Sequence, residues 1–116
     1  KELNQVNISE DEMAILRQGF YQVVNGNGQF NTGSAIGQGA SVTISAKTGT
    51  AETYTTTPSG EVVTAVNTNV VAYAPSDNPQ IAVSVVLPNL TNQSSMTTKT
   101  IMREIINLYQ SMYPMN

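Results

Sequence analysis

Residues 69–87 read NVVAYAPSDNPQIAVSVVL, two β-rich apolar runs separated by Pro75-Ser76-Asp77-Asn78-Pro79. The runs are largely apolar and rich in Val, Ile and Tyr, which favour strands. Pro, Ser, Asp and Asn supply turn geometry between them. A connection this short joins antiparallel neighbours. Working backwards, Thr55–Gly60 carries Pro58 and Gly60 and separates a further strand. The pattern predicts strands at about Ser41–Thr53, Val62–Ala74 and Gln80–Leu87, an antiparallel meander.

Two helices bracket the meander. Ser9 with Glu12 three residues later spells a capping box, and Ile8 with Met13 spells a hydrophobic staple. Glu10, Asp11 and Glu12 favour the positive end of the helix dipole. Met13, Leu16, Phe20 and Val23 or Val24 recur at helical spacing, so a helix is expected at about 9–25, stopped by Gly26. At about 95–113, Ile101, Ile105, Leu108 and Met112 form a stripe widened by Met102, Ile106 and Tyr109, which should lie on the sheet. The expected class is α+β, with both helices packed on a three-stranded sheet.

Composition bounds the function. The chain has 116 residues, one domain or less, with 11% charged residues against about 25% in typical domains. Thr, Asn, Ser and Gln replace the missing charge. Lys and Arg total 5 and are scattered, so no basic surface tracks phosphates and nucleic acid is excluded as a partner. There is no Cys and no His, which removes disulfides, thiolate or imidazole metal sites and His-based triads. No metal or cofactor is expected. Chemistry must come from Ser, Thr, Lys, Tyr or carboxylates. No apolar run approaches the ~18 residues of a membrane span. The absence of Cys and the polar composition fit an extracytoplasmic bacterial protein, and the chain, opening on Lys1 without a signal peptide, reads as a processed piece.

Residues 26–39 hold Gly26, Gly28, Gly33, Gly37 and Gly39. The spacing fits neither a dinucleotide fingerprint nor a P-loop, and no strand precedes it. It reads as a flexible connector, with a short helical turn around Thr32–Ile36.

The first strand contains Lys47-Thr48-Gly49-Thr50-Ala51-Glu52. Taken alone, Lys47 reads as a charge guarding an edge strand. Thr48 and Thr50 read as ordinary strand formers, Gly49 as a bulge, and Glu52 as a strand-end charge. Tyr54 and Tyr73 read as packing aromatics, and Lys99 and Arg103 as solvated.

The string ISAKTGTAE, the hairpin NTNVVAYAPSDNPQIAVSVVLPN and the final helix together resemble the end of a class B penicillin-binding protein, most closely the streptococcal branch. The resemblance covers essentially the whole chain. It implies a serine D,D-transpeptidase that cross-links peptidoglycan and is trapped by β-lactams. It further implies part of a five-stranded sheet flanked by helices, with residues 1–116 as one C-terminal subdomain. The family uses Ser-x-x-Lys, Ser-x-Asn and Lys-Thr/Ser-Gly in that chain order. Only the third is present in that order. No Ser stands three residues before a Lys, and Ser76-Asp77-Asn78 follows the Lys-Thr-Gly instead of preceding it.

By this resemblance Lys47 is the catalytic lysine of the third motif. Thr48, Gly49 and Thr50 contact substrate, and the Thr50 backbone N–H serves as an oxyanion-hole donor. The chain alone is then inactive. Its partners are the upstream part of the same transpeptidase, the peptidoglycan stem peptide and β-lactams. Its place is the outer face of the bacterial membrane, held there by an anchor outside these residues. The unpaired edge of the strand at 80–87 is expected to self-associate when upstream sequence is missing. The competing readings are a free-standing extracytoplasmic binding module with an incidental Lys-Thr-Gly and the tail of a serine β-lactamase.

Overall fold

A computed structural model describes residues 2–116. The order is α1 (Glu10–Asn25), α2 (Ser34–Gly37), β1 (Ser45–Thr56), β2 (Val62–Ala74), β3 (Ile81–Leu90) and α3 (Met96–Met112). The strands form one antiparallel sheet in the order β1-β2-β3. This is the α+β meander with helices that the strand and turn pattern predicts.

α1 begins as its sequence dictates. The Ser9 hydroxyl accepts from the Glu12 backbone N–H at 3.2 Å, and the Ser9 N–H donates to the Glu12 carboxylate at 2.8 Å. The Ser9 backbone N–H first, and its hydroxyl second, hold the Glu12 carboxyl below its ordinary value. A lowered folded pKa contributes stability above the ordinary carboxylate range, and that contribution is lost as pH falls through the lowered value. An NMR titration of the Glu12 carboxyl carbon should therefore show a midpoint below the ordinary glutamate value. A midpoint at the ordinary value would contradict the capping box.

The boundaries of β1 and β3 differ from the sequence reading for local reasons. Residues 41–44 are not strand, because other partners claim them: the Ser41 N–H donates to the Asn107 side chain at 2.8 Å, and the Ser76 N–H donates to the Thr43 carbonyl at 2.9 Å. At its other end β1 runs on to Thr56, paired with Val62. β3 runs past Pro88 to Leu90. The register slips between Val66 and Thr68, Asn89 takes a left-handed φ of 58°, and its N–H donates to the Asn67 side chain at 2.9 Å. Pro is tolerated there because β3 is an edge strand at an irregularity.

The core lies between the sheet and α3. Val70, Ala72 and Val85 meet Met102 and Ile106, with Ile36 and Ile44 closing one end. Fully burying a side chain such as Ile106 or Met102 stabilises by about 1.5–3 kcal/mol. The inward face of α3 is Thr98, Met102 and Ile106, with Ile101 partly covered. The expected stripe is thus corrected: Ile105, Leu108 and Met112 are exposed, Leu108 at 62%. Thr98 is buried because its hydroxyl bonds that of Thr68. Tyr73 packs edge-on to Phe20, with ring centroids 6.3 Å apart. Tyr54 corrects its own reading, being 72% exposed. Along α1 only Val24 is fully buried; Met13, Phe20 and Val23 are half-buried and Leu16 is 47% exposed, so its apolar stripe is covered only in part among the described residues.

The glycine-rich segment is pinned, which corrects its reading as a flexible connector. The Gly33 N–H donates to the Val23 carbonyl at 2.8 Å, and Ile36 is fully buried. Arg103 of α3 reaches the Gln38 carbonyl at 2.9 Å and pairs with Glu104 at 2.8 Å. Arg103 is therefore a tie between α3 and the loop, not a solvated charge.

Candidate functional site

The Lys47–Thr50 segment sits on β1, which is an edge strand of the described sheet. Successive side chains of a strand point to opposite faces. That alternation sends Lys47 to one face and Thr48 and Thr50 to the other. The surroundings agree. Thr48, Gly49 and Thr50 line a cavity of about 230 Å³ with Thr68, Thr98 and Lys99. Lys47 lines a separate apolar cavity of about 190 Å³ with Phe20, Val71, Tyr73 and Ala82. The structure thus brings three of the four expected residues into one hollow and leaves the lysine on the reverse side of the same edge.

Lys47 is exposed, and its Nζ donates to the carbonyl of Thr48 at 2.6 Å. The ammonium lies against the backbone of its own strand. Thr48 is half-buried, and its Oγ1 lies 2.9 Å from Oγ1 of Thr32, from the glycine-rich segment. Thr50 is exposed. Gly49 pairs with Asn69 across the sheet. A Cβ at Gly49 would stand 2.5 Å from the Asn69 Oδ1, so the missing side chain makes room for the Asn69 amide.

Chemically, the hollow offers neutral hydroxyls, a strand edge and one ammonium group, that of Lys99, while Lys47 stands on the reverse side. Hydroxyls donate to a carboxylate without a charge of their own. An edge strand can hydrogen-bond an extended peptide as an added strand. Among the described residues no cluster of carboxylates could hold a metal ion. The Ser76-Asp77-Asn78 segment stands elsewhere, in the β2–β3 turn. There the Ser45 hydroxyl donates to the Ser76 hydroxyl at 2.9 Å, and the Asn78 amide donates to the Asn116 carbonyl at 3.3 Å.

Sequence reasoning missed three members of the site. Lys99 was read as solvated but is half-buried in the hollow. Thr32 and Asn69 carry no motif; tertiary proximity alone picks out Thr32. The pairing of Gly49 with Asn69 follows from the hairpin register, so an exact register would have found Asn69.

The chain matches the family model described as the penicillin binding protein transpeptidase domain, over residues 1–107. It is 56% identical over 115 residues to penicillin-binding protein 2B of Streptococcus pneumoniae strain D39, covering 99% of this chain and 16% of that protein. It is 38% identical over 114 residues to penicillin-binding protein 2A of Bacillus subtilis strain 168, covering 92% and 15%. The chain therefore spans about a sixth of the length of these relatives. Its structure superposes on that of penicillin-binding protein 2B from S. pneumoniae strain R6 with a TM-score of 0.89, at 56% identity, covering 100% of this chain and 18% of that one. A penicillin-binding protein 2 of Helicobacter pylori, solved in complex with MreC, superposes at TM-score 0.71 and 18% identity over 96% of this chain and 19% of that one, which shows the fold alone.

Proposed function

The chain belongs to the penicillin-binding protein transpeptidase family, and on that premise we propose that it is a C-terminal piece of a peptidoglycan D,D-transpeptidase domain and supplies the Lys-Thr-Gly wall of its active site. The observation that carries this reading is the set Thr48, Gly49 and Thr50 on an edge strand beside one polar hollow. The Thr48 and Thr50 hydroxyls receive the carboxylate of the stem peptide or of a β-lactam. The Lys47 ammonium attracts that carboxylate and eases proton movement between nearby hydroxyls. The Thr50 N–H is one of two donors to the developing oxyanion. Loss of such a donor costs on the order of 10²–10³ in rate.

The nucleophilic serine comes from sequence upstream of residues 1–116, which hold no Ser-x-x-Lys. The unpaired edge of β3 is where an upstream strand adds or, in its absence, a second copy of the chain. The intact protein is anchored in the cell membrane with this domain on the outer face.

Peptide mapping after incubation with benzylpenicillin tests the division of labour. The intact transpeptidase is expected to carry one penicilloyl adduct, on a serine outside residues 1–116, and the isolated chain none. A stable adduct within this chain would contradict the assignment.

A further inference from the structure

We propose that Thr32 is a positioning residue that orients the Thr48 hydroxyl toward the carboxylate of the ligand; this rests on the proposed role of Thr48. The two Oγ1 atoms are 2.9 Å apart, so one hydroxyl donates to the other. A threonine hydroxyl has a single proton and two lone pairs. To bind a carboxylate, Thr48 must spend its proton on the ligand. Thr32 must then be the donor in the pair and Thr48 the acceptor. A hydroxyl that accepts one hydrogen bond is polarised into a better donor of its own. Thr32 thereby sets both the direction and the strength of the Thr48 donor through the hydroxyl pair.

The anchoring of Thr32 supports this role. Its neighbours are fixed at three points. The Asn31 side-chain amide donates to the Gly26 carbonyl, the Gly33 N–H is tied to Val23, and Ile36 is fully buried. Arg103 of α3 holds the far side through the Ala35 carbonyl at 3.4 Å and the Gln38 carbonyl at 2.9 Å. A residue held this way offers a donor at little cost in ordering it. Thr32 is itself exposed, so replacing it removes the hydroxyl without opening the core.

The test uses the intact transpeptidase carrying Thr32→Val, Thr32→Ser or Lys47→Ala. Acylation is followed with a β-lactam bearing a free carboxylate and with the methyl ester of the same compound. Thr32→Val is expected to weaken the binding step of the free acid about 3–10-fold, the worth of one net hydrogen bond. The limiting acylation rate and the thermal midpoint should be unchanged, and Thr32→Ser should restore binding. The ester should show no difference between wild type and Thr32→Val. Equal loss with acid and ester, or no loss with the acid, would overturn the positioning role. If Lys47→Ala is also without effect, the reading of the whole site fails; if only Thr32→Val is silent, the inference about Thr32 alone fails.

Discussion

Ile106→Ala is expected to destabilise the 116-residue chain by about 2–5 kcal/mol in urea unfolding, whereas Leu108→Ala should stay within about 0.5 kcal/mol. Both residues stand on α3, two positions apart, and both are apolar. Ile106 is 0% exposed and packs in the cluster with Val70, Val85 and Met102. Its truncation removes several methyl and methylene groups and leaves a void that the sheet and helix close only in part. Leu108 is 62% exposed, so its truncation removes little buried surface and opens no cavity. The contrast separates two faces of one helix. Similar losses at both positions would mean that the chain packs α3 by the stripe through Ile105 and Leu108 instead.

That choice of face was not legible in the sequence, and the reason is physical. Apolar residues surround more than half of α3, so Ile101–Ile105–Leu108–Met112 and Met102–Ile106 both satisfy helical spacing. The deciding residue is Thr98, which is polar and enters the core only because Thr68 on β2 bonds its hydroxyl. No local pattern announces a partner 30 residues away. Where the signals are local, the reading held. The Ser9–Glu12 box starts α1, and the Pro75–Pro79 turn joins β2 to β3. The strand pattern ends β3 at Leu87, yet the strand runs on to Leu90 because an edge position and a bulge absorb Pro88. The glycine-rich segment read as loose because glycine count reports backbone freedom, not the ties from Val23 and Arg103 that remove it. At the site, the string from Lys47 to Thr50 is visible as a motif, but the motif alone puts Lys47 and the threonines in one place, and strand alternation separates them. Thr32 and Lys99 come to it through the tertiary fold, from 16 residues before Thr48 in one case and from α3 in the other.

The central claim is that this chain lends the Lys-Thr-Gly wall to an acylation site, and Lys47→Ala probes it most directly. Lys47 is exposed and its one side-chain bond runs to the Thr48 carbonyl, so its removal leaves the core intact. An ion pair about 4 Å apart at an effective permittivity of about 20 is worth about 4 kcal/mol, an upper scale for its pull on a ligand carboxylate. Assistance to proton transfer by a positioned side chain contributes typically 10²–10⁴-fold. Lys47→Arg keeps the charge but replaces a compact ammonium by a planar fork, so it should recover attraction and only part of the proton traffic. The measurement is the second-order rate of benzylpenicillin acylation of the intact transpeptidase, wild type against Lys47→Ala, with the thermal midpoint recorded beside it. The account predicts a fall of at least about 10²-fold at an unchanged midpoint. An unchanged acylation rate would contradict it and return Lys47 to the role of a charge guarding an edge strand.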